Sequence, residues 1–294
     1  MRKITKAVIP CAGFGTRFLP ATKAIPKEMF PIIDTPSLQL IVQECVDSGI
    51  TDILFIISEH KQCIKNHFQE NFVLEKFLSQ NNKQDIIDQL KPIHTMANYH
   101  FATQYIANGT GNAILLAKEF VNNEPFVVLY GDDLMYTGDK DPVSKQLIDA
   151  YEKTGKLIIG CQNVSKEAAT KYGVVKPGET NGRFTEVKGF VEKPPIDKIP
   201  STLVSLGRYV LTPDIFDIIE KTKESPNGEK YVTDAIEVIA NTKGAYAYDF
   251  EARRYDIGDK NGFIEATIEY GLRNKNLRNR LISYLSSLDV EKIH

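Results

Sequence analysis

Short runs of consecutive apolar residues alternate with segments of helical periodicity in the first half of the chain. The apolar runs have the length of buried strands and cover residues 7–10, 53–57, 126–130 and 157–160. Between the first two runs, apolar residues recur at helical spacing from Leu38 to Val46, with Ser37 placed to cap the start of a helix and Gly49 placed to end it. This alternation of strand and helix predicts a mostly parallel sheet flanked by helices.

The pattern changes beyond Gly173. Shorter strand-like pieces such as "GRFTEVKGFVEKP" and "LVSLGRYVL" are separated there by helical segments, which is typical of a mixed sheet. We therefore expect a second, smaller lobe built on the same sheet. From Lys260 onward the periodicity is helical, and we interpret the basic run "LRNKNLRNR" that follows as a solvated helix face. No Gly/Ser-rich linker interrupts the chain, so a flexible hinge between two domains is not supported.

The composition is that of a globular protein. Hydrophobic residues make up 42% and charged residues 25% of the 294 positions, which excludes a largely disordered chain. The 36 basic and 38 acidic residues give a formal charge of -2. A broad nucleic-acid-binding surface is therefore not expected, and any site for a polyanion must be local.

The cysteines and the apolar segments bear on the compartment. The four cysteines are too scattered for a metal pair or a disulfide scaffold, and they are Cys11, Cys45, Cys63 and Cys161. The apolar run behind the basic first residues ends at Pro10, which is too short for a signal peptide, and no later stretch reaches the ~18 apolar residues of a membrane span. We expect a cytoplasmic protein with reduced thiols and no membrane partner.

The loop after the first predicted strand, "AGFGTRFLPATKAIPKEMFP", has the composition of a phosphate-binding loop. Gly13 and Gly15 stand where loops at the carboxyl ends of strands form a ligand crevice, and glycine lets backbone N–H groups approach a phosphate closely. Phe18 replaces the third glycine of a dinucleotide fingerprint, and the GK[ST] of a Walker loop is absent. A dehydrogenase and a P-loop NTPase are therefore weakly supported.

The same loop concentrates positive charge. Arg17 and Lys27 flank Pro20 and Pro26, and Lys23 lies between the two prolines. Proline restricts the backbone, so a stiff loop can hold two cations on one triphosphate at low entropic cost. Any one of these residues alone would be better explained as part of a solvated surface turn, but their density favours a nucleotide site.

Two acidic motifs are candidates for the metal that accompanies a bound phosphate. Asp132 and Asp133 directly follow the apolar run 126–130 and would face the same crevice as the glycine loop. Asp256, in "RYDIGD", follows the strand-like stretch 245–250, so the sheet would have to bring both strand ends to one crevice. From sequence alone a turn or a helix cap explains the aspartate pair equally well, and an Asx turn explains Asp256. The histidines show no metal-ligand spacing and no Ser-His-Asp order is evident.

These motifs together resemble a known family. The stretch "AGFGTRFLPATKAIPKEMFPIIDTP" is similar to the opening of the bacterial UTP-glucose-1-phosphate uridylyltransferases, also called UDP-glucose pyrophosphorylases, and its G-x-G-T-R core is shared by sugar nucleotidyltransferases in general. The resemblance continues through "VVLYGDDL", "KYGVV", "VEKP", "GRYVLTPDIFDIIEKT", "YVTDAI" and "RYDIGDKNGFIEATIEYGLR", so that it covers nearly the whole chain.

The resemblance implies a fold and a reaction. It implies a Rossmann-like α/β fold with a mixed, mostly parallel sheet flanked by helices and a smaller sugar-binding lobe. Within one nucleotidyltransferase domain, residues 1–135 would be the nucleotide-binding half, 136–255 the sugar-phosphate half, and 256–294 a helical segment that serves oligomerisation. The enzyme would join UTP to glucose 1-phosphate with magnesium, giving UDP-glucose and pyrophosphate, and would form a homo-oligomer, a dimer or a tetramer.

The resemblance also implies the roles of individual residues. The backbone of Ala12, Gly13 and Gly15 would cradle the nucleotide. Arg17 and Lys27 would hold the triphosphate, while Gln104 would bond the uracil edge and Gly109 would leave room for the base.

The sugar and metal ligands are implied in the same way. Glu192 would accept hydrogen bonds from sugar hydroxyls, Lys193 would hold the sugar phosphate, and Gly173 would bring backbone against the sugar ring. Asp132 and Asp256 would bind the magnesium ion, with Asp133 secondary. Catalysis would then depend on Arg17, Lys27, Asp132 and Lys193.

Two positions depart from the family pattern. Family members usually have Gly-Leu-Gly-His where this chain has Gly109-Thr110-Gly111-Asn112, and Ser-Asn-Leu where it has Ser201-Thr202-Leu203. Base selectivity and the sugar-hydroxyl contacts are therefore the open points. The alternatives are a nucleotidyltransferase that uses dTTP or CTP, and a non-catalytic relative that binds sugar nucleotides and regulates a partner.

Overall fold

The computed structural model describes residues 3–226 and 228–292, which form thirteen β-strands and twelve α-helices. The strands are β1 (Lys6–Pro10), β2 (Pro31–Ile32), β3 (Thr35–Pro36), β4 (Asp52–Ile57), β5 (Asn98–Thr103), β6 (Phe126–Leu129), β7 (Asp133–Tyr136), β8 (Leu157–Asn163), β9 (Gly173–Asn181), β10 (Phe184–Glu192), β11 (Leu203–Leu211), β12 (Ala245–Asp249) and β13 (Arg253–Asp256). The helices are α1 (Ser37–Asp47), α2 (Gln62–His67), α3 (Phe72–Gln80), α4 (Gln84–Thr95), α5 (Thr110–Leu115), α6 (Lys118–Val121), α7 (Val143–Thr154), α8 (Lys166–Ala169), α9 (Ile215–Lys221), α10 (Val232–Thr242), α11 (Lys260–Arg273) and α12 (Arg278–Ser287).

Nine of the described strands form one sheet in the order β5-β4-β1-β6-β11-β8-β12-β10-β9. β1 pairs in parallel with β4 and β6, and β4 pairs in parallel with β5. β11 is antiparallel to β6 and β8, and β10 is antiparallel to β9 and β12. The sheet is thus parallel in its amino-terminal part and mixed beyond it, which confirms the predicted fold class.

The predicted crossover helix between β1 and β4 is α1, although its start is stabilised differently from the prediction. The Ser37 hydroxyl does not cap the helix; it donates instead to the carbonyl of Glu28 at 3.0 Å. It thereby ties α1 to the loop that precedes it. Gly49 lies just past the helix end with φ +86°, the left-handed conformation that terminates a helix and that glycine adopts without strain.

Helices cover both faces of the sheet. Buried residues of α1 and α7, such as Ile41 and Leu147, pack in one hydrophobic core on the first face. Buried residues of α5, α9 and α10, such as Ile114, Ile219 and Ile236, pack in a second core on the other face. Because both faces are buried, β6 consists entirely of apolar residues and every residue of β11 is buried, including the polar Ser205 and Arg208.

A separate two-stranded ribbon stands at the carboxyl end of β6. The chain leaves β6, turns through Gly131 and Asp132, and enters β7, which pairs antiparallel with β13 so that Asp133 lies opposite Asp256. The prediction that the strand 245–250 delivers Asp256 to the crevice is therefore wrong. That strand is β12 of the main sheet, and it is the ribbon strand β13 that carries Asp256.

The carboxy-terminal helices correct the interpretation of the basic run. α11 ends at Arg273, where the side chain of Asn274 accepts from the backbone N–H of Asn276 and forms an Asx turn before α12 begins. The Arg273 guanidinium stacks over the ring of Tyr136, 3.9 Å from its centroid, whereas residues 275–280 are exposed. The run is thus solvated in part but is not one continuous helix face. No helix among the described residues is both long and apolar enough to cross a membrane.

Candidate active site

A cleft of about 370 Å³ opens where the loop after β1, the ribbon, and the ends of β9 and β10 meet. Its lining contains most of the residues that the sequence proposed for binding or catalysis. They are Ala12, Gly13, Arg17, Lys27, Gln104, Gly109, Asp132, Gly173, Glu192, Lys193 and Asp256. Gly15 lies in the same loop but outside the lining. Residues separated by up to 244 positions in the sequence are therefore brought to one site.

The loop after β1 folds into three short 3-10 turns, Thr16–Phe18, Ala21–Lys23 and Lys27–Met29. Gly15 has φ +64°, and a β-carbon there would lie 3.1 Å from the Thr22 methyl group, so glycine at this position serves the folding of the loop itself. A β-carbon at Gly13 would meet no described atom within 4 Å. The internal packing of the protein therefore does not require glycine at position 13. A ligand that approaches the backbone closely would require it.

The two cations of this loop are placed differently. The Lys27 ammonium donates to the Asp132 carboxylate across the cleft. Although burial opposes the charged forms, this pairing lowers the pKa of Asp132 and raises that of Lys27, so both groups are charged at neutral pH. Arg17 is exposed and forms no ion pair with the described residues. Lys27 is thus paired with a carboxylate, whereas the exposed Arg17 can bind an anion directly.

The ribbon brings Asp132 and Asp256 to the same point. A β-carbon at Gly258 would lie 2.7 Å from Asp132 Oδ2 and 3.2 Å from Asp256 Oδ1, which shows that both carboxylates converge on the glycine. No group of three or more His, Cys, Asp or Glu side chains within residues 3–226 and 228–292 is placed to hold a metal ion. The protein thus offers a pair of carboxylates, and the remaining ligands of a cation here would have to come from elsewhere.

Arg254 organises the acidic side of the cleft and was missed in the sequence. Its Nε donates to Asp133 Oδ1 at 2.6 Å, and its Nη1 donates to the Tyr172 hydroxyl at 2.9 Å. Tyr172 in turn donates to Asp256 Oδ2 at 3.0 Å. Asp133 is therefore a buried structural partner of Arg254. Gly207 admits it, since a β-carbon at Gly207 would lie 2.3 Å from Asp133 Oδ2.

The opposite end of the cleft carries Glu192 and Lys193. Burial raises the pKa of Glu192 although the Lys193 ammonium, 3.6 Å from its Oε1, opposes the shift. Lys193 has φ +44°, an unfavourable conformation for a residue with a side chain, and its N–H donates to the carbonyl of Tyr172 at 3.0 Å. Gly173 is required by packing, because a β-carbon there would lie 2.2 Å from the Phe190 ring.

The predicted base-binding loop is anchored to the carboxy-terminal half. Gly109 has φ +103°, and a β-carbon there would lie 2.2 Å from the carbonyl oxygen of Lys230. The N–H of Lys230 donates to the carbonyl of Asn108 and the N–H of Gly111 donates to that of Lys230, at 3.0 and 2.8 Å. Glycine at 109 thus makes room for a neighbouring backbone, while Gln104 contacts the Gly109 carbonyl at 3.4 Å.

The positions that depart from the family pattern have structural partners. Thr110 Oγ1 accepts from the N–H of Val232 at 3.2 Å, and Asn112 Nδ2 donates to the carbonyl of Asn108 at 2.9 Å. Thr110 therefore helps to hold the loop against the carboxy-terminal half, whereas Asn112 stabilises the loop internally. Thr202 lies outside the cleft lining and its hydroxyl donates to Asn163 at 2.9 Å, so this departure does not touch the site.

Two buried ion pairs support the cleft from below, and sequence reasoning missed both. Lys61 donates to both carboxylate oxygens of Glu28 at 2.8 and 3.0 Å, directly beside Lys27. Arg208, which is fully buried, pairs with Glu44 at 2.7 Å and donates to the carbonyl of Asp133 at 2.7 Å. The members of each pair are far apart in the chain, so no local pattern could have connected them.

Comparisons with known proteins identify the family. The pattern of the family described as "Nucleotidyl transferase" matches residues 6–271. A protein named UTP–glucose-1-phosphate uridylyltransferase 2 from Staphylococcus saprophyticus is 46% identical over 288 residues, which cover 98% of this chain and 99% of that protein. A UTP–glucose-1-phosphate uridylyltransferase from Staphylococcus haemolyticus is 45% identical with the same coverage.

Solved structures give the same result. A structure described as UDP-glucose pyrophosphorylase complexed with UDP-glucose superposes with a TM-score of 0.85 at 36% identity and covers 92% of this chain and 100% of that one. A UTP-bound UGPase from Acinetobacter baumannii superposes with a TM-score of 0.89 at 33% identity, covering 97% of this chain and 100% of that one.

Proposed function

Because the chain belongs to the nucleotidyl transferase family, we propose that its cleft joins UTP and glucose 1-phosphate to give UDP-glucose and pyrophosphate. The observation that carries this conclusion is the near full-length identity of 45–46% to relatives named for that activity. It is supported by the cleft itself, where cations, a pair of carboxylates and a second polar end formed by Glu192 and Lys193 lie within one cavity.

The reaction requires little covalent chemistry from the protein. A phosphate oxygen of glucose 1-phosphate attacks the α-phosphorus of UTP, a new P–O bond forms, and the bond to the departing pyrophosphate breaks. The attacking phosphate is deprotonated at neutral pH, so no general base is needed. Because both reactants are anions, catalysis consists mainly of holding them in line and neutralising their charge.

We assign the nucleotide to the side of the cleft formed by the loop after β1. The backbone of Ala12 and Gly13, which line the cleft, and the side chains of Arg17 and Lys27 would receive the triphosphate. Arg17 can do so without breaking an ion pair to any residue that the structure describes, whereas Lys27 must leave Asp132. Gln104 would bond the uracil edge beside Gly109.

The residues present fit a magnesium ion. Mg²⁺ takes near-octahedral oxygen coordination, usually with one or two carboxylates, substrate phosphates and waters, and the convergence of Asp132 and Asp256 at Gly258 supplies two carboxylates. When bound, the ion would neutralise the phosphate charge that builds up during transfer. Arg254 and Tyr172 would keep the Asp256 carboxylate in place.

We assign the sugar to the end lined by Gly173, Glu192 and Lys193. The buried Glu192 carboxylate would accept from sugar hydroxyls, and the Lys193 ammonium would hold the sugar phosphate. Lys193 is mostly exposed and its backbone is held in a strained conformation, which is typical of a residue positioned for function.

We further propose a cytoplasmic homo-oligomer. Cys11, Cys45 and Cys161 are buried free thiols, as expected in a reducing compartment. Helix α3 exposes large apolar side chains, with Phe72 at 72% and Val73 at 82% of their full accessibility, and burial against a second copy would remove them from water. Sedimentation velocity of the purified protein tests the assembly.

One assay tests the reaction. Pyrophosphate release is measured with UTP, dTTP, CTP and GTP against several sugar 1-phosphates, with and without magnesium. UTP with glucose 1-phosphate should be the best pair. Equal or better turnover with CTP or GTP would overturn the substrate assignment, and binding of UDP-glucose without pyrophosphate release would favour a regulatory relative.

A further inference from the structure

One hydroxyl group in the cleft is buried and has no hydrogen-bond partner among the described residues. Thr233 lies in the first turn of α10, is 5% exposed and lines the cleft. Its Oγ1 forms no hydrogen bond of normal geometry within the described part of the chain. On folding, this hydroxyl therefore leaves water without gaining a hydrogen bond of normal geometry from the described residues, which costs free energy.

The neighbouring hydroxyls of the cleft are satisfied. Ser205 Oγ and the Tyr209 hydroxyl bond to each other, and Thr110 Oγ1 accepts from the N–H of Val232. The other buried side-chain atom that lacks a partner in the described chain is Arg273 Nη1, which lies outside the cleft lining. The missing partner of Thr233 is thus a local property of this position rather than a general feature of the structure.

The packing of α10 places Thr233 at the sugar end of the cleft. Glu237, one helical turn farther along the same face of α10, accepts from the N–H of Phe190 on β10 at 3.3 Å. Two residues on from Phe190, β10 ends at Glu192. Thr233 therefore stands over the end of β10, and its hydroxyl is near enough to the Glu192 carboxylate to lower the pKa of that group against the effect of burial.

We propose that the Thr233 hydroxyl binds a hydroxyl group of the sugar ring of glucose 1-phosphate, beside the one bound by Glu192, and so contributes to the choice of sugar. This inference rests on the proposed function. A carboxylate can only accept hydrogen bonds, whereas a threonine hydroxyl both donates and accepts. The pair therefore suits two adjacent ring hydroxyls and disfavours a sugar that lacks one of them or presents it in the other orientation.

The test compares Thr233→Val, which keeps the shape and removes the hydroxyl, with Thr233→Ser, which keeps the hydroxyl. The kcat/KM for glucose 1-phosphate should fall roughly 2- to 12-fold in the valine variant, the size expected for one neutral hydrogen bond, and should stay near wild type in the serine variant. The KM for UTP should change less than about twofold in both.

Deoxy sugars identify the partner hydroxyl. With the 2-, 3-, 4- and 6-deoxy analogues of glucose 1-phosphate, the ratio of wild-type to Thr233→Val activity should fall to about 1 for the one analogue that lacks the bound hydroxyl. Thermal unfolding without substrates should stay close to wild type in Thr233→Val, because the hydroxyl makes no hydrogen bond of normal geometry within the described part of the chain.

The outcomes separate the two claims. A wild-type protein that releases no pyrophosphate from UTP and glucose 1-phosphate overturns the proposed function and this inference with it. An active wild type overturns the inference alone if Thr233→Val matches it on glucose 1-phosphate, loses UTP binding instead, keeps the same defect with every deoxy analogue, or melts several degrees lower.

Discussion

Lys27 and Lys193 carry the same charge but lie in different surroundings. Lys27 is partly buried and paired with Asp132, whereas Lys193 is mostly exposed and only 3.6 Å from Glu192. Lys27 must therefore give up a close partner to bind a phosphate, whereas Lys193 gives up only a longer contact that is exposed to solvent. At the scale of single residues, the assignment of Lys193 to the sugar phosphate is therefore the easier one to isolate by mutation.

We expect Lys193→Ala to impair use of glucose 1-phosphate and Arg17→Ala to impair use of UTP. Loss of a charge-assisted bond to phosphate costs about 1.5–3 kcal/mol, or about one to two decades in kcat/KM for the affected substrate. Steady-state kinetics with each substrate varied in turn measures both. Lys198→Ala, at an exposed position outside the cleft, is the matched control. If Lys193→Ala impaired only the use of UTP, the assignment of Lys193 to the sugar phosphate would be wrong.

Protonation of Glu192 should lower kcat/KM for glucose 1-phosphate at acid pH. Burial raises its pKa above the ordinary glutamate value. Protonation removes the negative charge and one acceptor site, so the ionised form is the better acceptor for a sugar hydroxyl. As pH falls through that raised pKa, kcat/KM for glucose 1-phosphate should drop, at a higher pH than an ordinary glutamate would require.

The substrate phosphate also titrates, with a pKa near 6 for a phosphate monoester, so the slope distinguishes the two groups. The plot of log kcat/KM against pH should approach a slope of about 2 at low pH in the wild type and about 1 in Glu192→Gln. Equal slopes in the two proteins would show that Glu192 does not titrate in the reaction.

Among the elements, the ribbon of β7 and β13 has the largest effect on the site. It places Asp132 at the turn before β7 and Asp256 at the end of β13. Sequence reasoning found β1, β4, β6 and β8 because buried strands are runs of apolar residues. It missed the ribbon because "DLMY" and "RRYD" are short and half polar, and their pairing depends on contacts between positions more than a hundred residues apart.

If Asp132 and Asp256 act as one unit around magnesium, their substitutions should not be additive. Each of Asp132→Asn and Asp256→Asn keeps the shape but removes a charge, so each should lower magnesium-dependent turnover by several decades, and the double variant should lose little more. Binding of Mg²⁺ with UTP, followed by calorimetry, should weaken in both single variants. Asp249→Asn, exposed at the end of β12, is the control. Fully additive losses would separate the two residues.

The ribbon also depends on the Arg254–Asp133 pair for stability. Arg254→Met leaves the buried Asp133 carboxylate without its guanidinium, and removal of one partner of a buried pair typically costs about 3–5 kcal/mol of unfolding free energy. Adding Asp133→Asn should recover part of that loss. Arg253→Met is the matched control, since its ion pairs with Glu265 and Glu269 are exposed and weak. Urea unfolding measures all of these variants.

Across the whole molecule, the sequence identified where the site lies but not the contacts that hold its residues in place. Gly13, Arg17 and Asp132 were found because each directly follows a predicted strand or stands in a dense local motif, whereas Glu192 was found only through the resemblance to the family. Lys61, Arg254 and Thr233 were missed because their importance lies in contacts that only the assembled sheet creates. Gly109 was identified for its place in the motif, yet its conformation is demanded by the backbone of Lys230.

The position of β11 explains why the two halves of the chain share one site. This strand belongs to the second half by sequence, but it lies between β6 and β8 in the middle of the sheet and pairs with both. The bonds between residues 108–111 and 230 join the halves again at the rim of the cleft. The nucleotide side and the sugar side are therefore fixed to each other by the core of the fold rather than by a linker.

The ion pair between Lys27 and Asp132 has a consequence for the order in which ligands arrive. In the free protein the lysine acts as an internal counter-ion, so a divalent cation has to compete with it for the carboxylate. A triphosphate attracts the lysine away and leaves the carboxylate to the cation, so that each ligand favours the arrival of the other by thermodynamic linkage. The protein should therefore have little affinity for the bare ion and take it up together with its nucleotide, and Lys27→Met should weaken that synergy by leaving Asp132 unpaired from the start.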